Sequence, residues 1–479
     1  MPDTIALEWT PAHQLREMVV NKQVSPVELT ELALSRASSL NPKLNAFLTL
    51  IPEMAMDDAK AAEQAVMDGK PLGALHGIPI SIKDLEAVKD VRQTNGSLVY
   101  KDNVATADAL PVQRIREAGA IIIGKTNTSE FGHIGTNENR LGDACRNPWN
   151  AEYTSGASSG GAAASVAAGI TSISQGSDGG GSVRIPGAMC GLFGIKASQG
   201  RVPRRDENLN NWHPISFSNV GPLTRDVRDA AMLLQVIAGP ADDSEPVVIN
   251  EPAPDFIAAL SAGVSGKRIA WSPDLGGSPV DPEIKNAAEK AVRAFEALGA
   301  TVEVAEYKLG DYEDVFNTFE TAWRARSYAT NGHLLENHRD KLTDYFTQGL
   351  EGGKVITGAE LWRAEAQINR YRRYASDFFS KYDLLITPSL ATTAFPINQH
   401  PESVDGRSVA HKYWGFTPFT YPFNMTGNPA ATVPIGLAAN GLPMGIQVVG
   451  AFGDEPGVFA ASAAFEASHP WADLKPPVS

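Results

Sequence analysis

In the stretch "SQGSDGGGSVRIP", three consecutive glycines, Gly179, Gly180 and Gly181, run directly into Ser182, and Arg184 follows two residues later. Glycine inside a structural element costs roughly 0.5–1 kcal/mol relative to alanine, so the run gives up on the order of 2 kcal/mol. Two uses of bare backbone fit: a tight turn with positive φ, or a cradle of N–H groups aimed at a negative charge. The serine at the end of the run favours the cradle, because acyl transfer needs an attacking oxygen beside donors for the oxyanion it creates. Such chemistry also needs a base for Ser182.

Histidine is the usual base, yet none of the nine histidines lies in this stretch, and His133 and His213 sit in segments with no sign of an orienting carboxylate. Lysine is the other choice. In "GIPISIKD" a strand period of two puts Ile78, Ile80 and Ile82 on one face, and Pro79, Ser81 and Lys83 on the other. Lys83 therefore ends an apolar strand, and its neighbour Asp84 points the opposite way, so an ion pair between the two is disfavoured. A solvated surface lysine is the ordinary alternative.

Two formal motif matches fail on context. "GAIIIGKT" fits the phosphate-loop pattern, but its four intervening residues are an apolar strand with no loop to wrap a phosphate. "GASSG" fits the nucleophile-elbow pattern at Ser158, but it follows the polar loop "RNPWNAEYTS" rather than a buried strand. The small-residue run "SSGGAAASVAAGI" then reads as a helix with Ser158 or Ser159 at its N-cap, and the polar strand "TSISQGSD" leads from it into the triple glycine.

These residues must be positioned by a frame of alternating helices and strands. "PVQRIREAGAIIIGK" carries Val112, Ile115 and Ala118 at helical spacing, Gly119 as a stop, and then a β-branched run. "VDPEIKNAAEKAVRAFEALGATVEVAEY" repeats the unit with Asp281 as N-cap, Pro282 at the first helical position and Gly299 as the stop. "ELWRAEAQINRYRRYASDFFSKYDLLITPS" is a third copy. The pattern predicts an α/β fold with a large, mostly parallel or mixed β-sheet. The proline- and acid-rich stretch at 239–256 reads as a surface connection between an N-terminal and a C-terminal lobe of one domain spanning 1–479.

Composition excludes several classes. A chain of 479 residues, 43% hydrophobic and 20% charged, is an ordinary globular protein. Its formal charge of −14, with no Lys/Arg cluster, disfavours a nucleic-acid partner. Cys145 and Cys190 make no disulfide framework, and no Cys/His spacing fits a metal site. No leader pattern or long apolar run is present, so the expectation is a cytoplasmic protein with no membrane partner, a monomer or homodimer.

Lys83 in "HGIPISIKD", Ser158 in "SGASSGGAAASVAAG" and Ser182 in "GSDGGGSVRIPGAMCGLFGIK" together resemble the amidase signature family. The resemblance extends to "YDLLITPS" and "NMTGNPAATVPIGLAANGLPMGIQVVG" and spans roughly residues 10 to 470. It implies an α/β fold with a large mixed central β-sheet covered by α-helices on both faces, and an amidase without cofactor or metal, acting on small-molecule amides and by extension carbamates or esters. Ser182 would be the nucleophile. Ser158, beside an unusual cis peptide bond, would relay its proton to Lys83, and the N–H groups of Gly179, Gly180, Gly181 and Ser182 would form the oxyanion hole. The chain departs from the family pattern at Ala157, where glycine is usual, and at Gly179, where a bulky apolar residue is usual; the extra glycine predicts a looser oxyanion loop.

For the acyl pocket, Trp212 and Phe217 in "NNWHPISFSNV" and Trp414, Phe416 and Phe419 in "HKYWGFTPFTYPFNM" lie in segments without helical periodicity, and predict an apolar lining. Two other functions share some of these features. One is the glutamine-hydrolysing subunit of a tRNA-dependent amidotransferase, for which no acidic and arginine pair for free glutamine is recognisable in the C-terminal third. The other is a non-catalytic module that holds an anion on the glycine loop.

Overall fold

A computed structural model describes residues 6–206, 217–241 and 248–479. Its strands, in chain order, are β1 (Phe47–Leu50), β2 (Pro79–Lys83), β3 (Ile121–Thr126), β4 (Arg146–Asn147), β5 (Asn150–Thr154), β6 (Ile173–Asp178), β7 (Phe193–Lys196) and β8 (Asn219–Thr224). Then follow β9 (Arg268–Trp271), β10 (Thr301–Val304), β11 (Leu384–Pro388), β12 (Ser403–Val404), β13 (Arg407–Ser408), β14 (Ala430–Leu437) and β15 (Pro443–Gly450). Eleven of them form one sheet in the order β1-β3-β2-β6-β8-β7-β14-β15-β11-β9-β10. The sheet is mixed: β2 runs parallel to β3 and β6, and β9 to β10 and β11, whereas the middle of the sheet is antiparallel. Strands before residue 239 occupy one half of it, and strands after 256 occupy the other half beyond β7.

Alternation along the strands decides which side each residue faces. Ile80 and Ile82 of β2 and Ile122 of β3 pack with Val112 and Ile115 of the helix Leu110–Glu117. Ile121 and Ile123 pack the other way, against Ala37, Ala59 and Ala164 on three further helices. Helices therefore cover both faces, as a sheet with two apolar faces requires. The three predicted helix–strand units are present: Leu110–Glu117 into β3, Pro282–Ala297 into β10, and Gly358–Phe379 into β11. Asp281 caps the second by accepting from Glu283 N–H at 2.8 Å. Gly119 and Gly299 take the positive φ that ends their helices, at 84° and 90°.

The apolar residues rejected as a phosphate loop are β3 itself, and Lys125 within it pairs with Asp84 at 3.2 Å, both side chains fully buried. Cys145 and Cys190 are free and buried. Part of the 239–256 connection, residues 242–247, lies outside the described residues. Among the described residues no helix is long and apolar enough to cross a membrane.

Candidate active site

Lys83 is the last residue of β2, on the face opposite Ile80 and Ile82, and is fully buried. Its backbone N–H donates to Gln175 Oε1 at 3.0 Å, which ties the strand end to β6. Its Nζ donates to Ser158 Oγ at 2.7 Å and to the Ser177 carbonyl at 3.1 Å. Among the described residues no carboxylate pairs with it. Burial lowers its pKa from 10.5 to about 7 and outweighs the opposing pull of Glu86 and Asp178. The side chain is thus poised between its two protonation states near neutral pH.

Ser158 follows a cis peptide bond from Ala157 and precedes the helix Gly160–Ala167. Gly156 at φ 74° turns the chain, and Ala157 N–H donates to Gly135 O at 2.8 Å. Of the two serines offered as N-cap, Ser159 holds that position, and its hydroxyl caps nothing; it donates to Ser177 O at 3.1 Å and accepts from Ser177 N–H at 3.2 Å. Ser159 N–H also donates to Ser182 O at 3.1 Å, which draws the two serine-bearing segments together. Ser158 and Ser182 are 2% and 3% exposed, so the hydroxyls sit in a nearly closed site.

The glycine run is a loop between β6 and the helix Arg184–Cys190, held from inside by Asp178. The Asp178 carboxylate accepts from Gly181 N–H at 2.8 Å and Val183 N–H at 3.2 Å, and takes a two-pronged ion pair from Arg184, each N···O distance 3.0 Å. Arg184 continues to Gln447 and Asn424, and Asn424 returns a hydrogen bond to Asp178 at 2.9 Å. Burial by itself raises the Asp178 pKa, but Arg184 and Asn424 outweigh it and keep the carboxyl ionised, well below the usual range. Thr420 Oγ1 donates to Gly180 O at 2.7 Å from outside the loop.

This geometry corrects one predicted donor. The Gly181 N–H is committed to Asp178, whereas the N–H groups of Gly179, Gly180 and Ser182 have no acceptor among the described residues. It also replaces the expectation of a loose loop. A Cβ on Gly179 would lie 3.0 Å from Trp323, and one on Gly180 would lie 2.9 Å from both Phe319 and Trp414. Only Gly181, at φ 130°, needs glycine for its backbone angle. The other two are bare because aromatic rings press on them.

Those rings form a wall against the glycine loop, and Trp414 among them is one of the residues expected in the acyl pocket. Trp414 stands edge-on to Phe319 and Trp323, and Phe217 stacks on Phe319. Phe416 packs with Ile185 and Phe395, next to Gly135. Phe419 is not part of this wall: it turns into a cluster with Phe423, Ala391 and Val449, filling the core under β14 and β15. Trp212 lies outside the described residues, as does His213. Phe319 and Trp323 were missed. They lie on the helix Tyr312–Asn331, where Tyr312, Phe316, Phe319 and Trp323 recur at helical spacing, a signal present in the sequence. Asp178 was missed too, although an acid and an arginine flanking a glycine run in an apolar stretch is a readable pairing.

His133 is near this wall but is no base. Its Nδ1 accepts from Trp323 Nε1–H at 3.2 Å, and burial lowers its pKa to about 3. Among the described residues His13, Asp226 and Asp229 bring ligand atoms within 4.8 Å of one another, but they already hold one another and nearby backbone N–H groups, with His13 Nδ1 2.8 Å from Asp229 Oδ1. Asp226 accepts from Asp229 N–H at 2.9 Å, and Asp229 accepts from Ala12 N–H at 2.6 Å and His13 N–H at 2.9 Å.

Sequence and structure comparisons place the whole chain among known proteins. The family model described as Amidase matches residues 28–459. An acylamidase of Rhodococcus erythropolis is 37% identical over 478 residues, covering 98% of each chain. The solved structure of a bacterial aryl acylamidase of the amidase signature family superposes with a TM-score of 0.90 at 32% identity, covering 97% of each chain. A glutamyl-tRNA(Gln) amidotransferase subunit from Geobacter sp. (strain M21) is 33% identical over 489 residues, covering 97% of this chain and 98% of its own. The chain belongs to the Amidase family and is an amide-hydrolysing enzyme that cleaves carboxylic C–N bonds.

Proposed function

We propose that Ser182 is the nucleophile, Ser158 the proton relay and Lys83 the base, and that the substrates are neutral aryl amides with apolar acyl groups. The observation that carries this reading is the 2.7 Å hydrogen bond between a fully buried, carboxylate-free Lys83 and the Ser158 hydroxyl. Neutral Lys83 accepts the Ser158 proton as Ser158 accepts the proton of Ser182, and the Ser182 oxygen attacks the amide carbonyl. The oxyanion falls to the free N–H groups of Gly179, Gly180 and Ser182, each such donor typically worth about 3 kcal/mol in the transition state. Protonated Lys83 returns its proton through Ser158 to the leaving nitrogen, the C–N bond breaks, and water cleaves the acyl-enzyme by the same path.

The similarity to an acylamidase and an aryl acylamidase supports the anilide class, and the ring wall of Phe319, Trp323 and Trp414 supports an apolar acyl group. Carbamates extend the class, since attack on their carbonyl puts the oxyanion in the same place. The similarity to amidotransferase subunits favours glutamine as the second reading, but its charged ends would have to be desolvated against those rings. A matched set of aryl acetamide, aryl carbamate and glutamine decides among them by kcat/KM. Glutamine turning over faster than the anilide removes the apolar-pocket reading, and an inert carbamate removes only the extension.

The nucleophile is tested directly. Ser182→Ala should lose at least about 10⁴-fold in kcat and all labelling by a serine-directed sulfonyl fluoride. Peptide mapping that found the adduct on Ser158, with Ser182 free, would reverse the assignment. Turnover surviving in Ser182→Ala would return the glycine loop to a plain anion cradle.

A further inference from the structure

Each N–H of the glycine run shares a planar trans peptide with the carbonyl of the residue before it, and the two point opposite ways. What grips the carbonyl therefore aims the N–H. The Asp178 carbonyl accepts from Asn424 Nδ2–H at 3.1 Å, which aims the Gly179 N–H. The Gly181 carbonyl accepts from Ile185 N–H, in the helix Arg184–Cys190, at 2.7 Å, which aims the Ser182 N–H. The Gly179 carbonyl has no donor among the described residues, so the Gly180 N–H has no anchor on its own peptide.

Its direction is set by its neighbour instead. The Gly180–Gly181 peptide is gripped at both edges: its N–H donates to Asp178 Oδ1 at 2.8 Å, and its carbonyl accepts from Thr420 Oγ1–H at 2.7 Å. Thr420 immediately precedes the helix Tyr421–Thr426, and its own carbonyl is fixed by Arg184 Nη1–H at 2.9 Å. The hydroxyl has a single proton, and of the two carbonyls in reach Gly180 is nearer than Thr417, which lies at 3.1 Å.

We propose that Thr420 is a positioning residue for acyl transfer, whose hydroxyl fixes the Gly180 N–H toward the oxyanion by holding the Gly180 carbonyl. The assignment rests on the reading of the Gly179, Gly180 and Ser182 N–H groups as oxyanion donors. Thr420 is 0% exposed, so it touches no substrate and acts through the loop alone. Without its proton the Gly180–Gly181 peptide keeps one grip, at Asp178, and pivots about it; the unanchored Gly180 N–H turns with it. Donor direction matters most once charge has developed on the carbonyl oxygen, so the loss falls on kcat rather than KM.

Anilide kinetics of Thr420→Val, with Thr420→Ser and Ser182→Ala measured alongside, test this. Valine keeps the volume and removes the proton; kcat should fall about 30-fold, less than the roughly 10²–10³-fold cost of losing a whole donor, with KM changed by less than about twofold. Serine keeps the proton and should hold kcat within about threefold of the wild type. A trifluoromethyl ketone analogue of the anilide, which the serine captures as a hemiketal oxyanion, should lose affinity in Thr420→Val by the same factor as kcat/KM. If Thr420→Val fails to fold, Thr420→Cys, whose S–H is only a weak donor, should still lower kcat by about tenfold. Unchanged kcat in a folded Thr420→Val or Thr420→Cys, an equal loss in Thr420→Ser, or a loss carried by KM would overturn the proposal while Ser182→Ala stays inactive. Turnover surviving in Ser182→Ala would instead overturn the oxyanion reading, and the proposal with it.

Discussion

Lys83 and Lys196 occupy matching positions, each the last residue of a strand in the same sheet, each fully buried, and each brought from 10.5 to about 7 by burial. They differ in what their Nζ touches. Lys83 meets the Ser158 hydroxyl at 2.7 Å, whereas Lys196 donates to the carbonyl of its own neighbour, Ala197, at 2.8 Å. A hydroxyl can hand on a proton and a carbonyl cannot. A third buried lysine, Lys125, is lowered by burial as well but has the Asp84 carboxylate at 3.2 Å pulling it back toward the charged form. Lowering a lysine's pKa is thus a common consequence of burial in this sheet, and the hydroxyl partner is what turns one of the three into a candidate base.

The largest effect that could break this comparison is on turnover. Lys83→Met should lower kcat/KM for an anilide by about 10³-fold, in the range typical for a general base, while Lys196→Met should change it by less than about threefold. Comparable losses in both variants, with folding intact by circular dichroism, would mean that Lys196 is needed for the same step. Lys83→Met should also harm a p-nitrophenyl ester less than the anilide, because p-nitrophenoxide departs without a proton and an aniline does not.

Next in size is the pH profile of the wild-type enzyme. The base form of Lys83 is the neutral amine, so kcat/KM should rise with pH through about 7 and level off above it, falling about tenfold per unit on the acid side. Lys196→Met should leave that midpoint in place. A profile flat from pH 6 to 10 would assign the base to another group.

Stability should show what the two lysines share. For each, the folded-state pKa lies below the unfolded one, so between about 7 and 10.5 the unfolded chain binds the extra proton and stability rises with pH. The cost of the buried charge is therefore fully present below pH 7 and disappears above 10.5. Lys83→Met and Lys196→Met should each stabilise the protein at pH 6, on the order of 2 kcal/mol in urea unfolding, and should lose that advantage at pH 10.5. A gain confined to one of them would show that the two burials are not equivalent.

How much of this was legible beforehand depended on whether the signal was local. The strand period that put Lys83 opposite Ile80 and Ile82, the helix stops at Gly119 and Gly299, and the Gly179–Ser182 run are patterns within a few residues, and all appear where the sequence put them. The ring wall was only partly legible. Phe319 and Trp323 come from a helix more than a hundred residues beyond the loop they cover, and nothing local to Phe419 shows that it turns toward β14 and β15 rather than toward the site. The Asp178–Arg184 pair lay inside the quoted stretch, but its role depends on Asn424 and Gln447, which the fold brings from the far half of the sheet.

The smallest effect expected is at Gly179, and it separates the loop from the lysine. Its φ is not in the left-handed region, so alanine there meets only one obstacle, a Trp323 ring 3.0 Å from the new Cβ. Such a contact is relieved by a shift of a few tenths of an ångström, either of the ring or of the loop. Moving the loop displaces the free N–H groups from the oxyanion they are proposed to serve, and Gly179→Ala should lower kcat by about three- to tenfold. Since Lys83 and Ser158 are untouched, the midpoint of the pH profile should stay at about 7, the value that burial sets. Trp323→Phe, added to Gly179→Ala, removes the crowding atoms and should recover part of the lost kcat. A shifted midpoint in Gly179→Ala would mean that loop and lysine titrate as one unit, and the contrast with Lys196 would then rest on the whole loop rather than on the Ser158 hydroxyl.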